Sequence, residues 1–120
     1  MKRYVLLLAY VPGRWEEASA AEQQGYLDAH TAFEEYVARH GRRLASAALA
    51  DADVATTVRH RDGAAVVSDG PFVETTEIVG GYYDVELPDV DHAIAAAQLL
   101  PAAYAVEIRP TVVIEGYEHP

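Results

Sequence analysis

No segment of this chain leaves the backbone less choice than Asp62-Gly63, which separates Thr56–Arg61 from Ala64–Ser68. The pair suits a two-residue type I′ turn, where both central residues take positive φ and the flanking strands keep their natural twist. So short a turn fixes the register: Arg61 faces Ala64, His60 faces Ala65, Arg59 faces Val66, Val58 faces Val67 and Thr57 faces Ser68. Directly opposed residues share a face, so Val58, Val67, Ala65 and His60 lie together. Two residues further on, the same side carries Asp69. A carboxylate placed there would stand at the edge of a core.

The rest of the chain divides around this hairpin. Residues 3 to 10 read as a buried first strand, and Pro12-Gly13 then breaks the chain. The opening Met1-Lys2-Arg3 and its apolar run resemble the start of a signal peptide. The run is only as long as a strand, however, and no small-residue cleavage site follows. Ser19 with Glu22 has capping-box spacing, which predicts a helix from there to about His40, ended by Gly41 in a left-handed C′ conformation. Along that helix Tyr26, His30, Phe33 and Val37 share a face, while Glu34, Glu35 and Arg39 lie mostly outside it. A second strand is expected at Leu44–Leu49 and another at Gly80–Leu87. Pro88-Asp89 opens a shorter helix, about Val90–Leu100, with Ile94, Ala97 and Leu100 or nearby alanines inward. Tyr104–Ile114 is the last extended segment; Pro110 places it at an edge or ends its pairing. The tail from Glu115 is expected to be less ordered.

Strand, helix, several antiparallel strands, helix, strand: the economical packing is α+β, a ferredoxin-like antiparallel sheet with both helices on one face. The other face would stay open. With 8 tyrosines and many strand valines, a second copy in a two-fold homodimer is the expected cover.

At 120 residues the chain fits a single domain, 1–120, and its 51% hydrophobic and 23% charged residues are those of a globular protein. It contains no cysteine, which excludes disulfide and thiolate chemistry and suits a cytoplasmic setting. No run approaches the roughly 20 apolar residues of a membrane span. The formal net charge of -10 argues against binding a phosphate backbone, so no nucleic-acid partner is expected. The basic cluster Arg39-His40-Gly41-Arg42-Arg43 falls where a helix ends, and cations there complement the helix dipole.

Several spaced motifs, in order, resemble one family. Asp69-Gly70-Pro71-Phe72, then Glu74-Thr75-Thr76-Glu77 and Gly80-Gly81-Tyr82-Tyr83, are similar to the DGPF signature of YCII-related proteins. Tyr4-Val5-Leu6-Leu7-Leu8, Ala29-His30 and Val106-Glu107-Ile108-Arg109-Pro110 extend the resemblance over nearly the whole chain. Thr76 departs from it, since the family pattern usually has Lys there. The resemblance implies a dimeric α+β barrel, two ferredoxin-like domains joined through their sheets. It also implies an active site built around a helix histidine and an aspartate, matching His30 and Asp69. Family members are often encoded beside extracytoplasmic-function sigma factors, and their biochemical role is mostly unassigned. Relatives with the same barrel include muconolactone isomerase-like enzymes and cofactor-free monooxygenases, an analogy of fold alone.

The residues themselves support two readings of several positions. His30, on the apolar helix face, has the pKa for general acid–base work; the plainer reading is a core histidine satisfied by hydrogen bonds. Asp69 before Gly70-Pro71 commonly fixes a turn by accepting backbone N–H bonds, and it could also orient the His30 tautomer. Arg109 and Arg59 are candidates for holding an anionic substrate, against surface ion pairing of the Glu107 type. Tyr82 and Tyr83 face opposite ways, one toward core or dimer interface, the other toward a pocket. His60 reads as a strand-end residue, and His40, His92 and His119 as helix-end, helix-start and tail residues. No histidine pair has metal-site spacing, and there is no phosphate loop or Gly-x-Ser-x-Gly elbow, so neither metal nor cofactor is expected. The leading functional expectation is cofactor-free proton transfer, isomerase- or lyase-like, on a small anionic or aromatic molecule. The alternative is a non-catalytic ligand-binding or regulatory dimer, linked through the family resemblance to sigma factors.

Overall fold

A computed structural model describes residues 1–119. The elements run β1 (Lys2–Tyr10), α1 (Arg14–Glu17), α2 (Ala20–His40), β2 (Arg42–Ala48), β3 (Thr56–Arg61), β4 (Ala64–Asp69), β5 (Ile78–Leu87), α3 (Val90–Ala97) and β6 (Ala105–Pro110). A 3-10 turn at Ala52–Val54 joins β2 to β3. Four strands form one sheet in the order β2-β5-β1-β6, and each neighbouring pair is antiparallel. The chain is thus α+β, and this order, with α2 and α3 as the two connections, is compatible with a ferredoxin-like unit. The β3-β4 hairpin is a separate two-stranded sheet set between the second and third strands of that unit.

Alternation in the central strands places the core. Tyr4, Leu6 and Leu8 of β1 lie opposite Val85, Tyr83 and Gly81 of β5, all on the side that the helices cover. Phe33 and Val37 of α2 and Ala93 and Ala96 of α3 complete the same cluster. The capping box forms as expected: Ser19 Oγ accepts from the Glu22 amide at 3.1 Å, and Glu22 accepts from the Ser19 amide at 3.0 Å. Asp89 caps α3 by accepting from the His92 amide at 3.0 Å. Pro110 closes β6, which pairs with β1 at the sheet edge.

Three expectations need correction. Of the two α3 stripes open from the sequence, the buried one is the alanine stripe, Ala93 and Ala96 with Leu100, and Ile94 is 44% exposed, so the helix is rotated away from the face that its largest side chain suggested. Methyl side chains at the contact let α3 lie close to its neighbours. Gly41 does end α2, its amide donating to the Val37 carbonyl at 2.8 Å, but its φ of -170° is extended and open to any residue. The need is clearance: a Cβ there would lie 1.8 Å from the Glu86 carbonyl oxygen. The third correction concerns the hairpin. Its register is the expected one, and Asp62 and Gly63 both have positive φ. Yet Val58 and Val67, on the side that carries Asp69, are 58% and 65% exposed. Four strands and the helices close the core without the hairpin, which stands out from them. The radius of gyration is accordingly 16.6 Å, against about 14 Å for a compact chain of this length.

The turn after the hairpin is held by backbone and a hydroxyl. Gly70 sits at φ 95°, donates its amide to the Ala55 carbonyl at 2.7 Å, and accepts from Thr57 Oγ1 at 2.7 Å. The Asp69 carboxylate takes no part in it. At the far end, the Ile114 amide donates to His119 Nε2 at 2.8 Å, so the tail folds back at least that far. Pro120 lies outside the described residues.

Two glycines should respond oppositely to alanine. Gly25 lies inside α2 with nothing near its would-be Cβ, so Gly25→Ala should stabilise by about 0.5–1 kcal/mol. Gly41→Ala should destabilise by about 1–3 kcal/mol, because backbone rather than a movable side chain is in the way. Urea denaturation of both variants measures the difference in sign.

Candidate functional site

His30 stands on α2 between an aromatic end, Tyr26, and the core residue Phe33. Both of its ring nitrogens are engaged. Nδ1 lies 2.8 Å from the Tyr83 hydroxyl, and Nε2 lies 3.0 Å from the Tyr104 hydroxyl. The directions of these bonds follow from one carboxylate. Tyr83 donates its proton to Glu34 Oε2 at 3.2 Å, so its oxygen accepts from Nδ1–H. Nε2 is then the bare nitrogen and accepts from Tyr104. Glu34 is itself held by Arg43, whose Nη1 donates to Oε1 at 2.7 Å. The result is a polarised chain from Tyr104 through His30 and Tyr83 to Glu34 and Arg43.

Burial and charge set the protonation of this chain. Desolvation lowers the His30 pKa, and the nearby Glu34 charge opposes it. Burial pushes the Tyr83 hydroxyl well up, with Glu34 adding to the shift. Burial, then Tyr10 and Tyr26, raise Tyr104 to about 12. At neutral pH the imidazole and both phenols are therefore neutral, as the bond directions require.

The chain borders a cavity of about 220 Å³ in which His30, Glu34, Arg43, Ser46, Tyr82 and Tyr104 all take part. Its roof depends on a bulge. β1 pairs in regular register with β5 as far as Leu8 opposite Gly81, and then Ala9 opposes Val79, leaving Gly80 over. The surplus residue brings Tyr10 across Gly80, where its hydroxyl donates to the Gly80 carbonyl at 3.2 Å. A Cβ on Gly80 would fall 2.0 Å from that hydroxyl. Next to this cavity, and sharing Tyr10, Ala48 and Tyr104 with it, is a cleft of about 280 Å³ reaching Arg14, Trp15 and Tyr26.

Of the residues singled out from the sequence, His30 and Tyr82 meet at this cavity, and Tyr83 is the buried tyrosine that bonds His30. Asp69 is exposed at the end of β4, opposite Thr56, and is not among the cavity residues. Arg109 is exposed and pairs with Glu107 at 3.2 Å. Arg59 donates to the Phe72 carbonyl at 2.8 Å and so ties the loop after Gly70-Pro71 to the hairpin. Glu34, Tyr104 and Arg43 were not singled out. Glu34 was placed off the apolar face, yet it is four residues from His30, and that spacing was the available signal. Tyr104 left no signal beyond being a tyrosine near a strand start.

The remaining histidines lie elsewhere. His92 Nδ1 is 2.7 Å from Asp89 Oδ1, and its ring is 5.2 Å from that of His40. Among the described residues no group of three or more His, Cys, Asp or Glu side chains is placed to hold a metal ion. No described helix is long and apolar enough to cross a membrane.

The model of the YCII-related domain family matches residues 3–115, and the chain belongs to that family. It is also 35% identical over 78 residues to an uncharacterized protein of Rhizobium meliloti (strain 1021). That match covers 62% of this chain and 63% of the relative, so it spans less than two thirds of the relative's length.

The lowered His30 pKa has a stability consequence of definite sign. Unfolded, the imidazole titrates near its ordinary 6.5; folded, it titrates lower. The unfolded chain therefore binds the proton more readily. Stability from this group should be complete above pH 6.5 and should fall away as pH drops through the folded pKa. Urea denaturation from pH 7.5 to 4.5 should show that acid loss reduced in His30→Gln, and NMR titration should place His30 below the ordinary 6.5.

Proposed function

We propose that this YCII-related domain catalyses proton transfer, of the isomerase or lyase type, on a small anionic or aromatic molecule without a bound cofactor. The observation that carries the reading is the single direction of the hydrogen bonds through His30. Nε2 is a free base aimed at Tyr104, and Tyr104 borders the cavity. A carbon acid bound there gives its proton to the Tyr104 oxygen as Tyr104 passes its own to Nε2. No free tyrosinate is formed, which suits a phenol whose pKa is raised to about 12. The imidazolium is stabilised by Glu34, which feels the new charge through Tyr83. Reversal of the same steps returns the proton to a different atom of the substrate. Arg43 holds Glu34 in place throughout.

The homodimer belongs to this reading as well. The sheet face away from the helices carries Val5, Leu7 and Ala9 beside Tyr82, all of them only partly buried. The hairpin stands outside the four-stranded unit with its valines exposed. A second copy joined through these surfaces, as a dimeric α+β barrel, covers both. The hairpin takes Asp69 with it, so the subunit contact is the route by which Asp69 acts near a histidine. Arg109, on the same open face as Val5, enters the site by the same route.

Two measurements test this. Deuterium exchange into ligands found by a binding screen should be catalysed by wild type, fall by about 10²–10⁴-fold in His30→Gln, and fall markedly in Tyr104→Phe with binding retained. Ligands bound but never exchanged by wild type would make the domain a non-catalytic binding module. In light scattering the chain should run at twice 13.1 kDa, and Leu7→Lys should shift it toward the monomer; a monomeric wild type would refute the dimer.

A further inference from the structure

We infer that the cleft beside His30 binds a single-ring aromatic carboxylate, its ring against Trp15, Tyr26 and Tyr10 and its carboxylate on Arg14. The inference deepens the proton-transfer reading, because the cleft shares Tyr104 with the His30 cavity.

Four aromatic rings follow one another along the wall. Trp15 and Tyr26 are 6.3 Å apart, Tyr26 and Tyr104 6.2 Å, and Tyr104 and Tyr10 5.0 Å; the last two pairs are stacked within 26° of parallel. Such a wall favours a flat π-face over a branched aliphatic one. Its size fits one ring, since a cavity of about 150 Å³ holds benzene and the cleft measures about 280 Å³. The surplus leaves room for one or two substituents.

Trp15 is held in this wall although it is 45% exposed. Gly13, at φ 91°, turns the chain into α1, the Glu17 amide donates to the Gly13 carbonyl at 3.0 Å, and Gln23 Nε2 donates to the Trp15 carbonyl at 2.9 Å. A large apolar ring at the rim, its backbone fixed by two such hydrogen bonds, is placed for something outside the protomer core. Aromatic walls also attract quaternary ammonium ions, and the choice between the two rests on charge. Arg14 is in the lining and makes no ion pair among the described residues. Glu16 and Asp51 act on the Tyr10 hydroxyl at longer range, but neither lines the cleft. An anion is therefore the ligand, and a guanidinium takes a carboxylate with two bonds.

The chain has a single tryptophan, so Trp15 fluorescence reports on this cleft alone. 4-Hydroxybenzoate and benzoate should change it saturably, cyclohexanecarboxylate far less, and benzyltrimethylammonium not at all. Arg14→Gln should weaken benzoate binding by about tenfold or more, while Arg61→Gln, the same charge change at the hairpin tip, should leave it unaltered. His30→Gln should also bind normally. No saturable response to benzoate, equal binding of the cyclohexane acid, a preference for the ammonium ion, or an indifferent Arg14→Gln each overturns the inference. The proton-transfer reading fails separately: benzoates bound as described with no exchange catalysed on any bound ligand refute that reading and leave this one standing. Exchange on a ligand that does not perturb Trp15 does the reverse.

Discussion

The antiparallel pairing of β1 with β5 is the constraint from which the rest of the molecule follows. Its helix-side residues are the floor on which Phe33, Val37, Ala93 and Ala96 pack. Burial of these side chains, each contributing about 1–3 kcal/mol for the larger ones, fixes where α2 lies. The position of α2 in turn decides which of its residues can reach β5. Phe33 packs against Tyr83 with ring centroids 4.3 Å apart and tilted planes, and one turn earlier His30 meets the hydroxyl of the same tyrosine. Tyr83 thus belongs to the core by its ring and to the site by its oxygen.

That double membership explains how a histidine can be half-buried with both ring nitrogens engaged by side-chain hydroxyls. A histidine satisfied by two backbone carbonyls would be locked as a structural element. Here both partners are hydroxyls, which can donate or accept, and their directions are imposed from Glu34. Proton movement through the chain reverses hydrogen bonds without breaking them. Loss of Glu34 would leave the geometry and remove the direction.

Much of this was legible from the residues. Period-two burial in β1, the Ser19–Glu22 box and the Asp62-Gly63 turn are local signals, and each element formed where its own residues asked for it. His30 was legible because it interrupts an apolar helical stripe. Its partners were not, since Tyr83 is 53 residues away and Tyr104 is 74, and nothing in a linear pattern says which tyrosine of 8 will be brought near. Gly41 shows a different limit. The sequence suggested a backbone conformation, whereas the requirement was distance to another strand, which exists only once the sheet has formed. The hairpin shows a third: its register is local, but whether its apolar side meets a core depends on what else is folded around it.

The bulge at Gly80 carries a consequence at the level of the gene. The Asp62-Gly63 loop ends in solvent, so a change of length there is confined to the β3-β4 pair, whose register the turn sets. In-frame loss of the Gly80 codon would keep reading frame, composition and overall length nearly intact. It would also leave Ala9 opposite Val79 with no surplus residue between, and so take away the backbone across which Tyr10 forms the cavity roof. Lineages of this domain should therefore keep a constant count from β5's first residue to Tyr83, and a departure from that count would mark a copy whose cavity has been remodelled.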